Sequence, residues 1–148
     1  MIAVIQRVAR ATVTIENRMS GCIDTGLVIL LGVAKGDTET DAKFLVDKVA
    51  GLRIFPDEEG KMNISLKDNG GAALVISQFT LCGNWRKGRR PSFINAAKPD
   101  EGERLYEYFC DMLRKTDIPI ETGEFGAMMD VSLINEGPVT FVLDSKQK

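Results

Sequence analysis

The chain has 148 residues, 44% of them hydrophobic and 27% charged, which is the composition of one globular domain with a core of its own. Its 19 Lys and Arg and 21 Asp and Glu give a net charge of −2, so no overall attraction draws it to nucleic acid or acidic membranes. It contains no histidine, which excludes Ser-His and Cys-His nucleophile pairs, HExxH zinc sites and imidazole general bases.

The cysteines and the start of the chain bear on its compartment. Cys22, Cys82 and Cys110 form no CxxC pair, and their odd number would leave one thiol unpaired in an oxidising compartment. Arg7 interrupts the apolar run that a signal peptide needs, and no stretch approaches 18 apolar residues. We therefore expect a cytoplasmic protein without a membrane span.

The first third of the chain alternates apolar and polar residues with the period of a β-strand. The pattern predicts strands over residues 3–8 and 11–16, with a third around Cys22 and Ile23. The continuous apolar run 27–33 predicts a central strand that is buried on both faces.

The middle of the chain changes to helical spacing. Residues 38–50 are predicted to be a helix, with Thr38 and Asp41 as a capping pair. A short apolar segment, 52–55, ends in the turn 56–60, which is predicted to join two strands or strand-like pieces. Residues 72–81 predict another buried strand.

The last third contains a helix and two strands. The helix begins at Pro99 and ends near Lys115. Strands are predicted over 128–134 and 139–143, separated by a turn at 135–138.

The order of these elements predicts the fold class. Residues 145–148 look like a frayed tail, and no linker or repeat divides the chain, so we expect one domain over residues 1–148. Strands at both ends with two main helices between them predict an α+β fold. Its sheet is expected to be mostly antiparallel or mixed and curled toward a barrel.

The segment Ser77-Gln78-Phe79-Thr80-Leu81 places polar side chains at the end of an apolar strand. A rigid strand can aim such groups into a cleft, but Ser77 and Thr80 would serve equally well as hydrogen-bond partners of neighbouring strands. Because no histidine can activate a Thr80 nucleophile, backbone N–H donors are the favoured chemical groups here.

The dipeptide Gly137-Pro138 lies between the two late strands. An ordinary turn explains it. If its peptide bond is cis, two successive carbonyls would point the same way and form a rigid acceptor pair suited to an ammonium group.

Two further candidate features are a basic loop at residues 85–93 and the single cation Arg7. The cations of the loop 85–93, Arg86, Lys87, Arg89 and Arg90, are flanked by aromatic residues, which fits a loop that binds phosphates as well as one that is merely solvated. Arg7, inside the first predicted strand, needs an acceptor.

No cofactor or metal site is predicted. The segment 32–37 lacks the spacing and the terminal Lys-Ser/Thr pair of a Walker A loop. The carboxylates at 57–59 lie in a turn without His or Cys support.

Four segments together resemble the D-aminoacyl-tRNA deacylase family of the D-Tyr-tRNA deacylase type. They are MIAVIQRV at residues 1–8, SQFTL at 77–81, RPSF at 90–93 and NEGPVT at 135–140. They occur in the order and at the spacing of that family, so the resemblance covers the chain from residue 1 to about residue 143.

This resemblance implies an activity and its substrate. It implies a cytoplasmic homodimer without a cofactor. The substrate would be the acceptor end of tRNA carrying a D-amino acid, or glycine on a mismatched tRNA, and the bond cleaved the ester to the terminal adenosine. Catalysis would be assisted by the 2′-hydroxyl of that adenosine.

The same resemblance implies roles for individual residues. Gly137 and Pro138 would form a cis dipeptide, supported by Arg7, that enters the partner subunit's active site and rejects L-amino acids. Ser77 and Gln78 would bind the substrate in an adenosine pocket, and the backbone N–H groups of Phe79 and Thr80 would face the ester carbonyl.

Two other functions stay open. A non-catalytic nucleic-acid-binding dimer would use the loop Arg86, Lys87, Arg89 and Arg90 and hydrolyse nothing. A hydrolase of small free D-amino-acid esters would not need the 2′-hydroxyl of tRNA.

Overall fold

The structure is a computed structural model that describes residues 1–147. Its elements in chain order are β1 (Ile2–Ile15), β2 (Arg18–Ile23), β3 (Gly26–Gly32), α1 (Glu39–Gly51), β4 (Arg53–Pro56), β5 (Met62–Ser65), α2 (Leu66–Asn69), β6 (Ala72–Ser77), a 3₁₀ turn (Phe79–Cys82), α3 (Pro99–Arg114), β7 (Ile120–Thr122) and β8 (Asp130–Asp144).

Strand β1 is the centre of the main sheet. One of its edges pairs with β3 and then with β2, and the other edge pairs with β8. β3, β6 and β7 add in parallel, which gives a mixed sheet of six strands within the described part of the chain. The sheet curls until the hydroxyl of Ser20 on β2 donates to the Thr122 carbonyl at the end of β7, at 3.3 Å. The predicted α+β fold with a sheet curled toward a barrel is confirmed.

Strand β1 contributes side chains to two hydrophobic clusters, because the face of the sheet on which its odd-numbered residues lie changes along the strand. Ala3 and Ile5 pack beneath the helices, whereas Val8, Ala11 and Val13 pack in a second cluster on the other face of the sheet. The pairing of β1 with β8 shifts between Val8 and Arg10, and such an irregularity exchanges the two faces of a strand. The two strands predicted over 3–8 and 11–16 are therefore one strand.

The two predicted main helices are present, and they pack on one face of the sheet. Thr38 and Asp41 form a capping box at α1, where the Thr38 N–H donates to the Asp41 carboxylate at 2.8 Å. α3 begins at Pro99, and its Tyr106 hydroxyl donates to the Val75 carbonyl of β6 at 2.9 Å. The predicted central strand is also confirmed, because β3 is buried on both faces.

Several predicted boundaries were wrong. β6 ends at Ser77 and the chain turns into the 3₁₀ turn, so the strand predicted over 72–81 is too long. The late strands predicted over 128–134 and 139–143 form the single strand β8. β5 is the second strand-like piece expected beside the turn 56–60, whereas α2 and β7 were not predicted; they have four and three residues, too few for a periodic pattern.

A charged cluster joins both ends of the described chain to α1. The Met1 ammonium contacts the Asp37 carboxylate at 2.7 Å and donates to the Ser145 hydroxyl at 2.8 Å. The Lys146 ammonium lies 2.8 Å from the Asp41 carboxylate and 3.2 Å from that of Asp37. These contacts close the fold across residues that are distant in sequence.

The frayed tail predicted over 145–148 was therefore wrong at its start. Ser145 is fully buried and donates to the Asp41 carboxylate at 2.8 Å. Lys148, the end of that predicted tail, lies outside the described residues. Burial opposes ionisation of Asp41, but hydrogen bonds from Lys146, Ser145 and Thr38 outweigh it and hold the pKa of this carboxyl well below its ordinary value of 3.8.

We expect Asp41→Asn to lower the free energy of unfolding by about 1–3 kcal/mol near pH 7, because buried partners lose a charged acceptor. The folded-state pKa of Asp41 is lowered, so its stabilisation is complete above the ordinary pKa and is lost progressively as the pH falls from that value toward the lower folded-state pKa. The difference in the free energy of unfolding between wild type and Asp41→Asn should therefore become smaller below about pH 4. Urea unfolding of both proteins at pH 7 and pH 3 measures this difference, and Asp24→Asn at an exposed position is the control. A gap of equal size at both pH values would contradict this assignment.

Candidate active site

A cavity of about 570 Å³ opens beyond the end of β6. Its walls are the 3₁₀ turn, the start of α3 and the loop between β7 and β8. Ser77 and Gln78 are polar groups in a lining that is otherwise mostly apolar. Its size and composition are those of a small-molecule binding site. The lining residues are Leu31, Val33, Ile76, Ser77, Gln78, Phe79, Ala96, Ala97, Pro99, Gly102, Phe125, Gly126, Ala127, Met128, Met129 and Val131.

The 3₁₀ turn presents two backbone donors beside this cavity. The N–H of Gln78 still donates to the Leu31 carbonyl of β3, at 2.8 Å, and the first bond of the turn runs from Leu81 N–H back to the Gln78 carbonyl, at 3.2 Å. The N–H groups of Phe79 and Thr80 lie before that bond, so neither has a partner within the turn.

The side chains here offer no general base. The Gln78 amide donates to the Thr80 hydroxyl oxygen, and the chain has no histidine to remove the hydroxyl proton. Burial, reinforced by the Asp37 carboxylate, raises the pKa of Cys82 at the end of the turn, so this thiol stays protonated at neutral pH.

An exposed basic loop adjoins the cavity through an aromatic contact. Phe79 packs edge to face on Phe93, with 4.9 Å between ring centroids. Asn84 and Ser92 exchange two backbone hydrogen bonds of 2.7 and 2.9 Å, which close the loop 85–91 at its base. All four cations of this loop are exposed, namely Arg86, Lys87, Arg89 and Arg90.

Arg7 and the dipeptide form a second group on the other side of β1. The buried guanidinium of Arg7 donates from Nη1 to the Ile54 carbonyl at 2.7 Å, and its Nε lies 3.5 Å from the Glu136 carboxylate. The prediction that Arg7 needs an acceptor is confirmed.

The Gly137-Pro138 peptide bond is cis, and both residues are exposed. Gly137 has a φ of +119°, and a Cβ atom there would lie 2.8 Å from Val139 Cγ2 and 3.1 Å from Arg7 Nη2. Only glycine fits this position without strain. The predicted turn is a loop extruded from β8, because Gln6 pairs with Thr140 and Val8 with Asn135, which leaves residues 136–139 opposite Arg7.

The two groups do not meet within one copy of the chain. β1 and β3 separate β8 from β6, and each strand spacing is about 4.8 Å. Arg7 pairs with Leu27 on β3, whereas Gln78 bonds to Leu31, four residues further along the strand at about 3.3 Å each. The structure therefore gathers Ser77, Gln78 and Phe79 at the cavity, with Thr80 next along the 3₁₀ turn, but leaves Arg7, Gly137 and Pro138 apart from them.

Sequence reasoning missed one wall of the cavity. Phe125 lies in the loop after β7, and a Cβ on Gly102 of α3 would approach its ring at 3.3 Å, so Gly102 leaves room for that ring. Gly123 and Gly126 around Phe125 mark an irregular loop, but only the tertiary structure shows that this loop faces the SQFTL segment.

Among the described residues there is neither a metal-binding cluster nor a membrane-spanning helix. No three His, Cys, Asp or Glu side chains within residues 1–147 cluster as ligands for a metal ion. Over the same residues, no helix combines the length and the apolar character needed to cross a membrane.

Comparison with known proteins identifies the family. The model of the family described as D-Tyr-tRNA(Tyr) deacylase matches residues 4–144. A Geobacter sulfurreducens protein named D-aminoacyl-tRNA deacylase is 57% identical over 148 residues, which cover 100% of this chain and 97% of that protein. A protein of the same name from Halalkalibacterium halodurans is 58% identical over 146 residues, covering 99% and 100%.

Solved structures agree with this match. One described as c-Myc DNA Unwinding Element Binding Protein has a TM-score of 0.92 at 40% identity and covers 97% of this chain and 98% of its own. A probable eukaryotic D-amino acid tRNA deacylase shares the fold, with a TM-score of 0.79 at 20% identity and coverage of 96% and 97%. The chain belongs to the D-Tyr-tRNA(Tyr) deacylase family. It is an enzyme of the deacylase type, and hence a hydrolase.

Proposed function

We propose that residues 1–148 form a single domain that hydrolyses the ester joining a D-amino acid, or glycine, to the terminal adenosine of tRNA. The observation that carries this proposal is the pair of N–H donors of Phe79 and Thr80 beside an apolar cavity of about 570 Å³. Names of relatives that are more than half identical over the full chain support the choice of substrate.

The cavity would hold the terminal adenosine. Phe125 and Met129 offer apolar surface to the base, and Ser77 and Gln78 offer polar groups at the end of β6. This arrangement would place the adjoining ester at the 3₁₀ turn.

Hydrolysis would proceed by attack of water on the ester carbonyl. The N–H groups of Phe79 and Thr80 would donate to the oxyanion of the tetrahedral intermediate, which then expels the ribose 3′-oxygen and releases the amino acid. Because the chain has no histidine and the Thr80 hydroxyl bonds to Gln78, the neighbouring 2′-hydroxyl of the tRNA would assist proton transfer.

Chiral selection would come from Gly137-Pro138 of a second copy. Within one copy these residues lie three strand spacings and about four residues away from the 3₁₀ turn, which supports a homodimer with active sites at its interface. The exposed dipeptide, supported by Arg7, would receive the substrate ammonium on its carbonyls and leave no room for an L side chain.

The basic loop would bind tRNA phosphates. Its exposed cations, Arg86, Lys87, Arg89 and Arg90, adjoin the cavity through Phe93 and Phe79. We place this reaction in the cytoplasm, where aminoacyl-tRNA is used and where the free thiols of Cys22, Cys82 and Cys110 are stable.

A second candidate function is nucleic-acid binding without catalysis. The same basic loop favours it, as does the DNA-binding name of the solved structure at 40% identity. Hydrolysis of D-aminoacyl-tRNA by the purified protein separates the two, since a binding protein leaves the ester intact.

We expect Thr80→Ala to retain activity within about tenfold of wild type, because a backbone N–H survives the change. A tRNA charged at the 3′ position and lacking the terminal 2′-hydroxyl should react at least about 10²-fold more slowly, the effect of deleting a positioned acid or base. Single-turnover deacylation measures both rates. Thr40→Ala, at an exposed position of α1, is the matched control. A dead Thr80→Ala enzyme together with full activity on the 2′-deoxy substrate would make threonine the nucleophile.

We expect the double change of Arg86 and Arg89 to Ala to weaken tRNA binding. It should reduce the slope of log K against log salt by about 1 for each cation that contacts a phosphate. The preference for D- over L-aminoacyl-tRNA should not change. Lys67→Ala with Lys115→Ala removes the same charge from exposed sites outside the loop and serves as control. Unchanged affinity at low salt would show that the loop is only solvated.

A further inference from the structure

The Asn135 side chain closes the base of the Gly137-Pro138 loop. Its Nδ2 donates to the Arg7 carbonyl across the sheet at 3.0 Å and to the Val139 carbonyl at the far end of the loop at 3.1 Å. One amide nitrogen therefore joins the strand before the loop, the strand after it and the strand opposite.

A second layer of hydrogen bonds holds that amide in place. Asn135 Oδ1 accepts from the Gln6 amide at 3.4 Å and from the Thr140 hydroxyl at 3.3 Å. The Gln6 amide also donates to the Thr140 hydroxyl oxygen, at 3.2 Å. Both donors and both acceptor positions of Asn135 are thus occupied, which fixes its orientation.

The backbone pairing explains why a side chain is needed here. Gln6 pairs with Thr140 and Val8 with Asn135, so Arg7 has no residue in register with it on β8. The carbonyl of Arg7 would lack a ladder partner, and the Asn135 amide supplies one. The same bond sets how far the ends of the loop are apart.

We infer that Asn135 is a positioning residue for chiral discrimination. It acts through the Gly137-Pro138 loop, without touching the substrate, by holding both ends of that loop against β1. Gln6 and Thr140 keep its amide oriented. This inference rests on the proposed function, in which the loop rejects L-amino acids.

Asn135→Asp tests it with little change in volume, because a carboxylate oxygen replaces the nitrogen that bonds both carbonyls. Deacylation of D- and L-aminoacyl-tRNA is measured at high enzyme concentration for wild type and variant. We expect the ratio of kcat/KM for D over L to fall at least about tenfold, the effect of losing roughly one hydrogen bond. The D-substrate should still be hydrolysed, since the 3₁₀ turn is untouched.

Matched variants separate positioning from stability. Asn17→Asp makes the same chemical change at an exposed turn and should keep the wild-type ratio. Thr140→Val removes a hydroxyl that donates to Asn135 and should lower the ratio. Thr140→Ser keeps the hydroxyl and should have the wild-type ratio. The Thr140 pair decides the question if Asn135→Asp does not fold.

The possible results distinguish failure of the Asn135 role from failure of the proposed function. A wild-type protein that does not prefer D-aminoacyl-tRNA overturns both. A wild-type protein that prefers the D-substrate, with a folded Asn135→Asp variant of unchanged ratio, overturns only the role of Asn135. If Asn135→Asp does not fold, an unchanged ratio of kcat/KM for D over L in Thr140→Val likewise overturns only the role of Asn135.

Discussion

The buried guanidinium of Arg7 constrains the architecture around it. A cation inside a sheet is costly unless it has acceptors and a counter-charge; Arg7 Nη1 donates to the Ile54 carbonyl, and the Glu136 carboxylate lies 3.5 Å from Nε, which makes no hydrogen bond. Opposite Arg7, β8 leaves the ladder and extrudes residues 136–139. The exposed Gly137-Pro138 dipeptide lies directly beside this side chain, because a Cβ atom on Gly137 would lie 3.1 Å from Arg7 Nη2.

The cavity and the dipeptide show how a chain without histidine can support ester hydrolysis. Backbone N–H groups need no particular protonation state, so the donors of Phe79 and Thr80 would act equally well over a broad pH range. Selection by backbone carbonyls has the same advantage. In the proposed mechanism the protein contributes position and polarity, and the tRNA contributes the group that moves a proton.

Local patterns in the sequence predicted much of the fold, and non-local pairings produced the errors. The continuous apolar run 27–33 predicted β3, the Thr38–Asp41 capping pair marked the start of α1 and Pro99 marked the start of α3, because each of these signals lies within one segment. The change of face at residues 8–10 depends on β8, more than 120 residues away, and the buried Ser145 depends on α1. The motif at 77–81 indicated the site, but its cavity wall at Phe125 comes from a loop placed only by tertiary packing.

In the proposed mechanism a backbone loop selects the handedness of an ester held at a backbone oxyanion site. Hydrolysis of one tRNA carrying a D-amino acid, its L-enantiomer or glycine by the purified protein tests this selection. We expect the D-amino acid and glycine to be released while the L-ester persists. Equal hydrolysis of both enantiomers would contradict the role of Gly137-Pro138, and binding of all three without hydrolysis would contradict the proposed chemistry.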